Sequence, residues 1–249
     1  MTDVMAEATR RQEAGEEVVL ATAVRTDGAP PCQPGQKLLL GRNGPLAGTL
    51  GCSEFDAQAV ASTPDLLATG QPTLATYTHE LGSVDVYLEP LAPRPLLVVL
   101  SATPVALHLL RGAAELGYST VLVEDRIERV TPDHVAAAGR VEASLDGVEP
   151  GPSTEAVATD HDAPSLADQL GALLRSPARF VGMMGSARHT AAHLESLRAQ
   201  GLGDELARLR TPVGLDLGCR TPAEIALSIL AGLVAARTDH PGGWLDRKA

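Results

Sequence analysis

The chain has 249 residues, with 31 acidic and 20 basic side chains, and therefore a formal net charge of −11. Hydrophobic residues make up 44% of it, enough to form a buried core, whereas aromatic residues make up only 2%. A nucleic-acid-binding surface needs clustered cations and usually aromatic faces for bases to stack on, so this composition disfavours a nucleic-acid partner.

The N-terminal part of the chain predicts a small α+β domain. Alternating and β-branched runs indicate strands, and clusters of proline and glycine indicate the loops between them. In chain order, the predicted elements are a helix at 3–15, strands at 17–26, 36–41 and 46–50, a helix at 51–69, and paired strands at 73–79 and 83–89.

A proline-rich segment separates this part from the rest. Three prolines lie within the six residues from Pro90 to Pro95, which prevents regular structure and stiffens the connection. The domain boundary is therefore expected here, with residues 1–93 in the first domain and 94–249 in the second.

The second domain alternates strands and helices. The predicted strands are 96–100, 120–124, 155–159 and 179–183, and the predicted helices are 104–116, 165–175, 187–200 and 222–237. Residues 127–153 are expected to be irregular, with one short strand near 139–143. This alternation predicts an α/β fold, a doubly wound parallel sheet with helices on both faces.

The first strand–helix turn of this domain departs from the dinucleotide-binding pattern. That pattern, G-x-G-x-x-G, uses glycine to let the backbone approach a pyrophosphate. Here the turn contains no glycine and includes Pro104, which has no N–H to donate. Asp125 nevertheless lies at the end of the second strand, where a ribose-binding acid belongs. An NAD(P)-dependent oxidoreductase is therefore an alternative hypothesis.

Three other loops of the second domain carry candidate ligand-binding residues. Gly185, Ser186 and Arg188 lie where a strand leads into a helix, and a helix N-terminus with glycine and arginine favours an anion such as phosphate. His161 follows another strand at the edge where open α/β sheets bind ligands. Arg220 precedes a well-capped helix start and is a further anion candidate. Each set also has a purely structural explanation as a cap or turn.

Cys52 is the thiol with the strongest case for function. It immediately precedes a predicted helix, whose positive end favours a thiolate, and Glu54 follows two residues later. A thiolate suits a soft metal centre, so Cys52 is the candidate metal ligand. The alternative is that Cys52 is a small buried apolar side chain, the commoner fate of free cysteines.

The sequence predicts a soluble cytoplasmic protein. The longest apolar stretch, Ile225 to Ala236, is well short of the roughly 20 residues that a membrane-spanning helix needs. No signal peptide is recognisable at the N-terminus. The chain has three widely spaced cysteines, an odd number that makes a poor disulfide framework and is typical of a reducing compartment.

Several runs of residues together resemble the XdhC/CoxI family. They are VLATAVRTDGAPPCQPGQKLLL at 19–40, GTLGCSE at 48–54, LLVVL…ELGYSTVLVEDR within 96–126, FVGMMGSARH at 180–189 and TPVGLDLGCRTPAEIALSILAGLVAAR at 211–237. The resemblance covers most of the chain in the family's order. It implies a Rossmann-like C-terminal domain and puts Cys52, Glu54, Gly185, Ser186 and Arg188 at family motif positions.

The resemblance also implies a function. Members of this family are accessory proteins of molybdenum hydroxylases such as xanthine or carbon monoxide dehydrogenase. The implied role is a chaperone, not a catalyst, that binds molybdenum cofactor (molybdopterin), shields it while its terminal sulfur is installed, and passes it to the apo-enzyme. A cysteine desulfurase is a further expected partner, and a homodimer is the expected assembly.

Three motifs depart from the family pattern. An FGAGHVA-like run is replaced here by Leu100 to Ala106, a THDH-like run by Thr159 to Asp162, and a double glycine before Cys52 by Leu50-Gly51. These changes leave open a third interpretation, a scaffold that keeps the fold but binds no small molecule.

Overall fold

The computed structural model describes residues 3–245, and its contacts divide the chain into two units, Met1–Arg94 and Pro95–Ala249. Within residues 3–245, no helix combines the length and the apolar character needed to cross a bilayer.

The N-terminal unit is an antiparallel sheet of five strands with a helix on each face. Its strand order is β3-β2-β1-β5-β4, and every neighbouring pair is antiparallel. The elements are α1 (Val4–Glu13), β1 (Val18–Gly28), β2 (Lys37–Gly41), β3 (Gly44–Gly48), α2 (Ser53–Thr69), β4 (Thr73–His79) and β5 (Gly82–Leu91).

The central strand β1 is buried on both faces. Val18 and Leu20 pack towards α1, whereas Val19 and Ala21 pack in the larger core beneath α2, which includes Phe55. This alternation follows from the period of two along a strand. Burial on both sides explains why residues 18–21 are all apolar.

The chain conformation immediately before α2 requires a glycine, Gly51. Gly51 has φ +93°, and a Cβ at this position would lie 2.4 Å from the carbonyl oxygen of Pro31. Only glycine accommodates both the left-handed backbone and this close approach. The loop that contains Pro31 therefore closes against the residue before Cys52, and Cys52 becomes the N-cap of α2.

The C-terminal unit is a parallel sheet of six strands. The elements are β6 (Leu96–Leu100), α3 (Pro104–Glu115), β7 (Ser119–Val123), α4 (Pro132–Ala137), β8 (Arg140–Glu142), β9 (Thr154–Ala158), α5 (Leu166–Arg175), β10 (Phe180–Met183), α6 (Ala187–Ala199), β11 (Leu209–Arg210) and α7 (Pro222–Arg237). The order β8-β7-β6-β9-β10-β11 is the 3-2-1-4-5-6 arrangement of dinucleotide-binding sheets.

Helices cover both faces of this sheet. Val98 and Leu100 of β6 pack with α5 and α6, whereas Leu97 and Val99 pack with α3 and α7. The predicted fold class, a small α+β domain followed by a doubly wound Rossmann-like domain, is confirmed.

The structure contains a helix, α4, within the segment predicted to be irregular. Thr131 caps its N-terminus, Pro132 is its first residue, and the His134 ring lies 3.0 Å from the carbonyl oxygen of Thr103. A helix of six residues is too short to show a hydrophobic period. Its threonine–proline start is a recognisable sequence signal that periodicity alone overlooks.

Candidate functional site

Cys52, Glu54 and His79 come together in the N-terminal unit and are called the Cys52 cluster below. The Sγ of Cys52, a carboxylate oxygen of Glu54 and a ring nitrogen of His79 all lie within 4.8 Å of one another. Cys52 is partly buried, the Glu54 side chain is 66% exposed, and the His79 side chain is 18% exposed. Two of the three were candidates from sequence, and His79 is the residue that the sequence did not reveal.

The fold brings His79 to this position from a distant segment. His79 ends the edge strand β4, whereas Cys52 and Glu54 belong to the start of α2. The ring of Phe55, which is fully buried, meets the His79 ring edge-on with centroids 5.9 Å apart. The hydrophobic core under α2 therefore holds one side of the imidazole.

A backbone hydrogen bond orients the His79 ring. The N–H of Leu81, in the turn after β4, donates to Nδ1 of His79 at 3.1 Å. Because Nδ1 accepts this bond, the proton of the neutral ring resides on Nε2. Nε2 lies 4.0 Å from the Glu54 carboxylate. The cluster thus combines a soft sulfur, an N–H donor and a carboxylate.

Cys32 contrasts with Cys52. Cys32 is 8% exposed and packs in the same core. Burial, and then the charges of Asp56 and Cys52, raise the pKa of the Cys32 thiol. A thiol that resists ionisation is a weak nucleophile and metal ligand, so Cys32 is the structural member of the pair.

In the C-terminal unit, His161, Gly185 and Ser186 lie together at the carboxyl edge of the sheet. The rings of His161 and His189 are stacked, with centroids 4.6 Å apart and planes within 4° of parallel. Ser186 Oγ lies 3.4 Å from Nδ1 of His189. A Cβ on Gly185, at φ +135°, would lie 2.9 Å from the side chain of Thr190. Glycine is therefore required where the chain turns into α6.

The first turn of α6 suits an anion. Among the described residues, the Ser186 side chain makes no capping bond to the amides of this helix, although the N–H of His189 donates to the carbonyl oxygen of Ser186 at 2.9 Å. Arg188 is exposed in the same turn. Arg220 lies elsewhere, in the turn before α7, where its backbone N–H donates to the Glu224 carboxylate at 2.9 Å.

Each of the two units matches a known protein-family model. A family model described as "XdhC and CoxI family" matches residues 11–78, and one described as "XdhC Rossmann domain" matches residues 97–233. The chain belongs to the XdhC and CoxI family. The resemblance seen in the sequence is confirmed.

Two curated relatives resemble this XdhC-family chain. The "Uncharacterized protein YqeB" of Escherichia coli (strain K12) is 25% identical over 264 residues, which cover 98% of this chain and 48% of the relative. A protein of Bacillus subtilis (strain 168), described as a probable xanthine dehydrogenase subunit, is 24% identical over 160 residues, or 62% and 47% of the two chains. The chain thus spans about half the length of the curated relatives that it matches.

A solved structure shares the fold. A crystal structure described as a xanthine dehydrogenase from Bacillus halodurans superposes with a TM-score of 0.52 and 16% identity, covering 93% of this chain and 96% of the other. At this identity the likeness concerns the fold alone.

In the XdhC Rossmann domain of this chain, the connections that follow the neighbouring strands β6 and β9 leave to opposite faces of the sheet, and protein side chains occupy this switch point. The N–H of Ala102 donates to the Glu124 carboxylate at 2.8 Å, and the N–H of Ala106 donates to Thr103 Oγ1 at 3.1 Å. Thr103 Oγ1 also lies 2.9 Å from Thr159 Oγ1. The amides that would approach a pyrophosphate are therefore bonded within the protein.

Ion pairs between charged side chains also occupy the switch point. Arg126 donates to the buried Glu124 at 2.8 Å and to Asp160 at 2.9 Å, and Arg129 donates to Asp160 at 2.6 Å. Asp125, the ribose-binding candidate, is exposed beside this network, 3.5 Å from Arg126. Glu124 is a residue that sequence reasoning missed, although an acid directly after an apolar strand is an available signal.

Proposed function

We propose that this member of the XdhC and CoxI family is an assembly factor that binds molybdenum cofactor and delivers it to an apo molybdenum hydroxylase of the xanthine dehydrogenase type. Family membership and the xanthine dehydrogenase name of the Bacillus subtilis relative support the connection to that enzyme class. The observation that carries the proposal is the Cys52 cluster, since it presents a soft sulfur and an N–H donor in one place.

The residues present fit the chemistry of this cargo. Molybdenum cofactor is an anionic pterin with a phosphate and a dithiolene-held metal. In the N-terminal unit, Cys52 supplies the sulfur that a soft metal prefers, and His79 supplies a donor for an oxygen ligand. Considered by itself, the C-terminal unit offers an anion site, where Gly185, Ser186 and Arg188 at the start of α6 suit a phosphate.

The net charge of −11 does not oppose this binding strongly. At physiological ionic strength, exposed charges are screened over about 8 Å. Local donors such as the α6 amides therefore act on an anion more strongly than distant carboxylates do.

Metal and pterin analysis tests the proposal. The protein is produced in cells with intact cofactor biosynthesis, and molybdenum is measured by mass spectrometry and the pterin by fluorescence after oxidation. Cys52→Ser is expected to lower retention of both several-fold, since the soft ligand is lost. Cys32→Ser is the matched control and should retain the cargo. If neither metal nor pterin is found while a control family member is loaded, the proposal fails.

A pull-down identifies the partner. Immobilised apo molybdenum hydroxylase is expected to capture the cargo-loaded protein more strongly than the empty one, whereas a scaffold without ligand would bind equally in both states. A cysteine desulfurase serves as a second bait.

Light scattering on the same samples tests whether the protein forms the proposed homodimer.

The NAD(P)-dependent oxidoreductase is the second candidate, and the strand order of the parallel sheet favours it. The hydrogen bonds at the switch point argue against this candidate, because the N–H groups of Ala102 and Ala106 already donate to Glu124 and Thr103. Titration with NADH is therefore expected to give no saturable change in nucleotide fluorescence. Saturable binding of NADH at micromolar concentrations would favour the oxidoreductase over the assembly factor.

A further inference from the structure

We propose that a cavity between the edge of the parallel sheet and α7 binds a small organic carboxylate with an apolar body. The cavity has a volume of about 250 Å³. Its lining residues belong to β10, β11, the loop after β11, α7 and the segment after α7. None of them belongs to the Cys52 cluster or to the start of α6, so the site is additional to the proposed function and does not rest on it.

The sheet forms one wall of the cavity with apolar side chains that pack over a glycine. Gly182 of β10 pairs with Arg210 of β11, so both face the same side of the sheet as Phe180, two residues earlier. A Cβ at Gly182 would lie 2.5 Å from Cγ2 of Val213 and 2.9 Å from Cε1 of Phe180. Because glycine has no Cβ, Phe180 and Val213 close over β10 and form an apolar surface on the side that α3 and α7 cover.

The helix α7 forms the opposite wall. Four of its residues line the cavity, namely Ile229, Gly232, Ala235 and Ala236. The loop after β11 closes against the same helix at Gly214, where φ is +106° and a Cβ would lie 2.5 Å from Ser228 Oγ. Small side chains on the helix thus leave a space that larger ones would fill, and its walls favour an apolar body.

The rim of the cavity carries a cation. Arg210 is exposed, and within residues 3–245 its side chain forms an ion pair with no carboxylate. His240 also lines the rim, and its Nδ1 donates to the carbonyl oxygen of Thr238 at 2.7 Å. None of the described lining residues is acidic. The charge of the rim therefore selects an anion.

The donors of the rim favour a carboxylate over a phosphate. A guanidinium donates two parallel hydrogen bonds to a carboxylate, so Arg210 alone can satisfy one such group. A phosphate carries more charge and needs more donors, which the apolar walls do not provide.

The volume limits the size of the ligand. The cavity of about 250 Å³ is smaller than drug-sized sites, which measure roughly 300–1,000 Å³. It is larger than an apolar cavity of about 150 Å³ that accommodates benzene. A carboxylate with a single ring therefore fits, whereas a dinucleotide does not.

Titration with benzoate tests the proposal. The full chain is labelled with ¹³C in its alanine methyl groups and titrated with benzoate, with the neutral benzamide of similar shape, and with acetate, which has no ring. The methyl signals of Ala235 and Ala236 should shift and saturate with benzoate at millimolar concentrations. The signals of Ala21 and Ala23, in the core of the N-terminal unit, should not move. Benzamide and acetate should bind at least about fivefold more weakly.

Two variants separate the charge of the rim from the apolar walls. Arg210→Met keeps an unbranched side chain without the guanidinium and should weaken benzoate about fivefold, a modest effect because the position is exposed. The affinity for benzamide should stay the same. Arg198→Met, at an exposed position of α6, is the matched control and should alter neither affinity. Ala236→Leu fills the cavity and should abolish binding of both compounds.

The comparison of the two arginine variants decides the assignment. Both positions are exposed, so both variants should fold, and circular dichroism checks this. The absence of a saturable shift with benzoate, equal affinities for benzoate in Arg210→Met and the unmodified protein, or equal affinities for benzoate and benzamide would each overturn the proposal. Benzoate binding that persists in folded Ala236→Leu would place the ligand outside the cavity and would overturn it as well.

Discussion

Glu155 illustrates, at the scale of a single residue, how a carboxyl is accommodated inside the parallel sheet. Its side chain is 1% exposed, the Tyr118 hydroxyl donates to it at 2.6 Å, and Arg179 lies 3.8 Å away. Burial raises the pKa of Glu155, and the bond from Tyr118 and the charge of Arg179 oppose the shift only in part. The neutral form is therefore favoured more in the folded than in the unfolded chain.

The stability of the protein should consequently depend on pH through Glu155. Because the folded pKa is raised, the contribution of this group is fully present below the ordinary value of 4.5 and is lost as the pH rises through the folded pKa. Glu155→Gln cannot ionise, so its stability should exceed that of the unmodified protein at pH 7 and match it near pH 4.5. Denaturant unfolding at a series of pH values measures this, and a larger advantage at pH 4.5 than at pH 7 would contradict it.

Tyr118→Phe is the complementary change. It leaves the buried Glu155 carboxyl without its hydroxyl donor, which should cost about 1–3 kcal/mol of unfolding free energy. Tyr87→Phe, at an exposed tyrosine, is the matched control and should change stability by much less. Equal effects of the two replacements would show that the bond to Glu155 contributes nothing.

Of the three residues in the Cys52 cluster, the sequence indicated two and could not indicate the third. Cys52 and Glu54 could be selected from sequence, because both lie at the predicted start of one helix. His79 lies on a different element, and only the packing of the edge strand β4 near α2 brings its ring to Cys52. Nothing in the residues around position 79 indicates which thiol it approaches.

At the scale of elements, the carboxyl ends of β6, β7 and β9 are joined by one network of charges. Arg126 is its centre, since it donates to both Glu124 and Asp160. Burial opposes ionisation of Asp160, but the N–H of Asp162 and the guanidinium groups of Arg126 and Arg129 lower its pKa overall. The network holds the loops at the edge where a Rossmann domain would bind a nucleotide.

Removing the centre of this network should destabilise the C-terminal unit strongly. Arg126→Met leaves the buried Glu124 without its cation, and breaking a buried pair from one side costs about 3–5 kcal/mol. Arg129→Met removes a more exposed partner of Asp160 and should cost at most about 1 kcal/mol. Thermal unfolding followed by circular dichroism compares the two variants. A milder effect of the Arg126 change would show that Glu124 is neutral or hydrated.

Most elements could be predicted because they repeat a period over many residues. The strands β6 and β9 and the helices α3 and α7 are long or apolar enough to stand out. The helix α4 and the strand β11, which has two residues, are too short for a period to show. Their positions follow from contacts with α3 and with β10.

At the scale of the whole molecule, each unit has a core of its own. The two clusters that cover the parallel sheet contain only residues from 96 onwards, and the two clusters of the antiparallel sheet contain only residues up to 91. Neither unit thus borrows buried apolar side chains from the other among the described residues.

Residues 95–249 should therefore fold without the N-terminal unit. Produced alone, this segment is expected to show a helical circular dichroism spectrum and one cooperative thermal transition. The segment 1–94 is the matching test for the antiparallel unit. A spectrum of an unfolded chain for residues 95–249 would show that the parallel sheet depends on contacts outside its own core.

The order of the residues is enough to establish the fold class and the family of this protein. Apolar periods, proline breaks and capping residues act between neighbours in sequence, so they can be recognised without coordinates. The composition of the Cys52 cluster and the closure of the switch point depend on contacts between segments that are far apart in the chain. Such contacts form only when helices and sheets pack, because packing, and not local propensity, sets the distance between side chains on separate elements.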